Sequence, residues 1–112
     1  MSADERILAE MFQVIEARKA ADPEASYTAR LFAKGTNKIA QKLGEEAVEA
    51  AIAAVAEGNE RLVKESADVL YHLLVLWSAK GVIPSQVWTE LEKRFGTSGL
   101  AVKEQRKKNN TG

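Results

Sequence analysis

Apolar residues recur at helical spacing along most of this chain. Ile7, Leu8, Met11, Phe12 and Ile15 share one face of a helix within "SADERILAEMFQVIEARKAAD", for which Ser2 or Asp4 is the candidate N-cap. "DPEAS", with Pro23, breaks that pattern, and "SYTARLFAKG" reads as a short helix or turn ended by Gly35. Thr36 or Asn37 is placed to cap a long helix reaching about Glu57. "EGNE" is a turn, and a second long helix runs from Glu60 to about Lys80, where Gly81 stops it. Ser85 is placed to cap "QVWTELEKRF", and "GTSG" interrupts the chain before a last short segment. Both prolines, Pro23 and Pro84, fall between helical patterns. No β-alternation of useful length, internal repeat or low-complexity tract is present. The expected fold class is all-α: a helical bundle built on a long antiparallel helix hairpin, forming one domain over residues 1–112.

The segment Val69–Trp77 is apolar nearly all round, and such a helix must be covered on every side. About four helices of one small chain hardly suffice for that. A homodimer with a shared bundle core is therefore expected.

Composition narrows the class. Lys+Arg and Asp+Glu balance at 16 each, which argues against a nucleic-acid or membrane-surface protein. The basic tail from about Lys103 reads as a solvated end. With no cysteine there is no disulfide, thiol nucleophile or thiolate metal site. The N-terminus carries charge where a signal peptide needs an apolar run, and "VLYHLLVLW" is too short to span a bilayer. A cytoplasmic location is the expectation.

One run does not fit a plain core helix. "GEEAVEAA", Gly44 to Ala51, puts Glu45, Glu46 and Glu49 within about a third of the helix circumference. Glu65 and Asp68 form a second i, i+3 pair on the next helix. Each pair lies about equally far from the turn near Glu57 and Gly58, so an antiparallel hairpin brings them level. Carboxylates gathered at one height repel unless a cation sits among them. Oxygen ligands without thiolate favour a hard ion, Mg²⁺ or Mn²⁺, and a di-iron bundle would want Glu-x-x-His pairs instead. The sole histidine, His72, shares the face of Asp68, where it either bonds Asp68 or the substrate or serves the core. The plainer alternative is a solvated acidic face with i, i+4 salt bridges. Upstream, Lys34, Lys38 and Lys42 recur every four residues, in the same stripe as the acids if the long helix reaches back that far. Lysines leading to a metal cluster suit a polyphosphate, although lysines alone would read as a solvated face.

"SYTARLFAKGTNKIAQKLGEEAVEAAIAA", followed by "ESADVLYHLLVLWSAKGV" and "ELEKRFGTSGLAVKE", resembles the phosphoribosyl-ATP pyrophosphohydrolase family of histidine biosynthesis, from about Glu5 to Arg106. Glu46-x-x-Glu49 with Glu65-x-x-Asp68 matches the broader motif of all-α nucleotide pyrophosphohydrolases. The resemblance implies Mg²⁺-dependent hydrolysis of 1-(5-phospho-β-D-ribosyl)-ATP to the AMP adduct and pyrophosphate, by a cytosolic homodimer. It implies Glu46, Glu49, Glu65 and Asp68 as metal ligands, and Glu45 as a further ligand or a group orienting water. Lys34, Lys38 and Lys42 would bind phosphates. The cyclohydrolase activity sometimes fused to this family relies on cysteine-bound zinc and is not expected here. Two other readings stand beside this one: a housekeeping pyrophosphohydrolase of other nucleoside triphosphates, and a non-catalytic helical dimerisation module.

Overall fold

The computed structural model of the protein describes residues 3–96. Five α-helices follow one another: α1 (Arg6–Ala17), α2 (Tyr27–Lys34), α3 (Thr36–Ile52), α4 (Asn59–Lys80) and α5 (Pro84–Gly96). A π-helical turn, Ala53–Glu57, prolongs α3. No strand occurs among the described residues, so the all-α expectation holds. The chain divides into two compact units, with the boundary between Val82 and Ile83. The first carries α1 to α4, the second α5. "GTSG", the segment after it and the basic tail lie outside the described residues, as does Ser2.

Local chemistry explains most helix ends. Asp4 Oδ1 accepts from the Arg6 amide at 2.9 Å, satisfying one of the free donors at the start of α1. Ser26 caps α2, its Oγ accepting from the Ala29 amide at 3.2 Å. Between α2 and α3 the backbone turns at Gly35 with φ 95°, and between the π turn and α4 at Gly58 with φ 105°, values that an L side chain rarely adopts. Gly35 is thus itself the cap of α3, and neither Thr36 nor Asn37 fills that role, because Thr36 is already the first helical residue. α4 ends in a Schellman pattern: the Gly81 amide donates to the Ser78 carbonyl and Val82 to Trp77. In the second unit α5 begins at Pro84, a proline at the first helical position, so Ser85 lies inside the helix and does not cap it. Gln86, in the first turn, accepts from the Ile83 amide through its Oε1 at 2.9 Å.

The core of the first unit gathers Phe12 and Ile15 of α1, Leu31 of α2, Ile39 of α3, and Leu74 and Val75 of α4. Ser78 of α4, also buried, donates to Glu16 of α1 at 2.9 Å. α4 packs against α3, the most extensive helix pairing among the described residues. Of Val69–Trp77, only Leu70 is exposed, since α1, α2 and α3 supply more cover than the sequence pattern suggests. The exposed apolar positions of the first unit fall largely elsewhere. Val48, Ile52 and Val55 form one stripe at i, i+4, i+7, and Val63 and Leu70 lie on another seven residues apart.

Candidate active site

The pairing of α3 with α4 decides where the carboxylates go. Glu46 and Glu49 are three apart on α3 and so share a face; Glu65 enters from α4. One carboxylate oxygen from each of the three lies within 4.8 Å of the others. Glu65 is 4% exposed, yet only Oε1 is satisfied, by Arg61 at 2.6 Å; Oε2 has no hydrogen-bond partner. A buried carboxylate oxygen without a donor is costly, and it points to a ligand the site is built to hold. All donors are carboxylates, which suits a hard divalent cation.

Electrostatics bears out the crowding. Burial pushes the Glu46 carboxyl above its ordinary value, and the charges of Glu49 and Asp68 push it the same way, as does that of Glu65 to a lesser degree, against an opposing pull from His72. Asp68 is thus close enough to act on Glu46, although it is exposed and stands outside the trio whose oxygens converge. Glu45 also stands apart. Gln41 donates to it at 3.1 Å, Lys42 lies 3.7 Å away, and its pKa is lowered, chiefly by the Gln41 hydrogen bond, with help from the Lys42 and Lys38 charges.

His72 is buried and committed to structure. Its Nδ1 donates to the Asp68 backbone carbonyl at 2.8 Å, which leaves Nε2 facing the Tyr27 hydroxyl at 3.4 Å. Tyr71 packs edge-on against it, with ring centroids 5.0 Å apart, and hydrogen-bonds Thr28. These contacts tie the first turn of α2 to α4 beside the acids.

The lysines meet in a way the helix boundaries alone do not suggest. Gly35 interrupts the helix, so Lys34 ends α2 while Lys38 and Lys42 belong to α3. All three nonetheless line one cavity of about 200 Å³, together with Arg30, Leu31 and Tyr27. No carboxylate lines it. Lys38 and Lys42 stand about two turns and one turn before Glu46 on the same helix. Arg30, Tyr27 and Arg61 are additions to the residues expected from sequence. Arg30 continues the four-residue spacing of the lysines upstream, and Arg61 precedes Glu65 by four, so both signals are present in the chain.

Known proteins resemble this chain over most of its length. Residues 8–95, spanning both units, match the family model described as phosphoribosyl-ATP pyrophosphohydrolase. A protein of Paramagnetospirillum magneticum named phosphoribosyl-ATP pyrophosphatase is 58% identical over 108 residues, covering 96% of this chain and 99% of the relative. Its namesake from Rhodospirillum rubrum is 59% identical over 95 residues, 85% of this chain and 81% of the relative. A third so named, from Azospirillum brasilense, is 54% identical over 101 residues, 90% and 91% of the two chains. A match of this extent over nearly the whole chain shows that the chain belongs to the phosphoribosyl-ATP pyrophosphohydrolase family.

Proposed function

We propose that this protein hydrolyses 1-(5-phospho-β-D-ribosyl)-ATP to 1-(5-phospho-β-D-ribosyl)-AMP and pyrophosphate, a cytoplasmic step of histidine biosynthesis. The family membership supports the substrate. The observation that carries the chemistry is the unsatisfied Oε2 of buried Glu65 beside Glu46 and Glu49.

Glu46, Glu49 and Glu65 would hold Mg²⁺ or Mn²⁺, with Asp68, whose charge reaches Glu46, as the fourth ligand. When bound, the metal supplies Lewis-acid stabilisation of phosphate oxygens and of the leaving pyrophosphate. Lys34, Lys38 and Lys42, with Arg30, bind and orient the anionic chain of the substrate along α2 and α3. Glu45, exposed and held by Gln41, orients water at the edge of the acid cluster. His72 and Tyr27 hold α2 against α4 and so keep the cationic cavity in register with the acids. No covalent nucleophile is required.

The exposed stripes Val48, Ile52, Val55 and Val63, Leu70 support a homodimer that buries them. Turnover of phosphoribosyl-ATP beside ordinary nucleoside triphosphates tests the reading. Preference for phosphoribosyl-ATP by tenfold or more in kcat/KM, worth about 1.4 kcal/mol, is expected. Equal or better turnover of ordinary triphosphates would favour the housekeeping enzyme.

A further inference from the structure

Arg61 stands one helical turn before Glu65 on α4, and the two ends of their ion pair differ sharply in exposure. The Glu65 side chain is 5% exposed and that of Arg61 53%. Arg61 Nη2 donates to Glu65 Oε1 at 2.6 Å, while Oε2 stays unpartnered. With Glu49, Ile52, Glu57 and Glu65, Arg61 lines a cavity of about 240 Å³. The guanidinium therefore stands at the open side of the acid cluster, among carboxylates from α3, the π turn and α4. Helix energetics favours the contact only weakly, since a cation four residues before an acid is the weaker orientation of such a pair. The gathered negative charge of Glu46, Glu49 and Glu65 adds attraction to it.

We propose that Arg61 is a built-in counter-cation of the acid cluster which a divalent ion displaces, so that this one side chain sets how tightly the protein takes up its metal. The inference rests on the reading of the carboxylates as metal ligands. Three features support displacement. Arg61 is half exposed on a long flexible stem and can turn out into solvent, whereas Glu65 is fixed in the interior. Arg61 occupies Oε1 while Oε2 is free, so an ion that takes Oε2 shares the carboxylate with the guanidinium. Two cations on one carboxylate also repel each other. Once displaced, the guanidinium remains at the mouth of the cavity, where a phosphate brought in with the metal offers it a new charged partner. Metal and phosphate uptake then reinforce one another.

Calorimetric titration of Mg²⁺ alone into wild type, Arg61→Ala and Arg61→Lys tests this, with thermal melts run with and without the metal. Arg61→Ala should bind Mg²⁺ about fivefold or more tightly than wild type, because a competing charge is gone. It should also melt lower without metal and gain more from saturation with it. Arg61→Lys keeps the charge and should stay within about twofold of wild type. Arg61→Gln repeats the test should the alanine variant lose helical signal. Equal or weaker Mg²⁺ binding by the alanine or glutamine variant overturns the inference, because Arg61 then only orients Glu65. Absence of Mg²⁺ binding to wild type overturns the metal reading itself, and the inference with it.

Discussion

The Nδ1 of His72 lies 2.8 Å from the backbone carbonyl of Asp68, so the sole imidazole of the chain is engaged with its own helix. The ring is buried between Tyr27 and Tyr71. Truncation by His72→Ala should cost about 2–4 kcal/mol, the scale of emptying a buried ring site. In His72→Asn the side-chain amide can take the place of Nδ1, and about 1 kcal/mol should return. Urea unfolding of both variants measures this. An asparagine variant no more stable than the alanine one would remove the backbone hydrogen bond from the explanation.

The carboxylate crowding gives the metal-free protein a defined response to pH. Glu46 has its pKa raised in the folded state, by burial first and then by Glu49, Asp68 and Glu65. The folded state therefore binds this proton more tightly than the unfolded chain. Through this group, stability falls as pH rises from the ordinary carboxylate range through the raised value, and it returns as pH drops. Without metal at neutral pH, Glu46→Gln should melt higher than wild type, on the order of a few degrees. The gain should vanish at pH 4. Melting curves at both pH values in a chelating buffer decide it, and a gain that grows on acidification contradicts the sign.

The cationic cavity should separate binding from folding. Lys38 forms no ion pair among the described residues, whereas Lys42 lies 3.7 Å from Glu45. Lys38→Ala and Arg30→Ala should each lower kcat/KM for phosphoribosyl-ATP by about tenfold, near 1.4 kcal/mol, with Lys42→Ala losing less. Melting temperatures should hold. Variants within twofold of wild type would return these residues to an ordinary solvated face.

Val55, 86% exposed at the end of one apolar stripe, is the sharpest probe of self-association. Val55→Asp should weaken a dimer without touching the core. Sedimentation at micromolar concentration should find wild type as a dimer and the variant shifted toward monomer. Wild type running as a monomer would leave the stripes unexplained by pairing.

Much of this arrangement is legible in the chain, and for identifiable reasons. Helix positions follow from apolar spacing such as Ile7, Leu8, Met11, Phe12 and Ile15, and the i, i+3 placement of Glu46 and Glu49 survives any shift of a helix boundary. Caps are less legible. At Gly35 the backbone itself turns, which displaces Thr36 and Asn37 from the cap, and Pro84 starts α5 earlier than Ser85 suggests. The cover over Leu74 and Val75 depends on how α1 and α2 fold onto α4, which periodicity does not reveal. Arg30 and Arg61 carry the right spacing, yet their contacts depend on which wall of a cavity each helix presents. The orphaned Oε2 of Glu65 exists only once α3 and α4 are packed.

Glu46, Glu49, Glu65 and Asp68 are proposed to serve Mg²⁺-dependent pyrophosphate release. The most direct test of that role is the rate of pyrophosphate release from phosphoribosyl-ATP, with and without Mg²⁺, for wild type, Glu49→Gln and Asp68→Asn. Both amide variants keep the side-chain shape, so the helical fold should persist. Wild type should require Mg²⁺, and each variant should lose about 100-fold or more of the metal-dependent rate. Near-normal Mg²⁺-dependent release by either variant would contradict the assignment of that carboxylate.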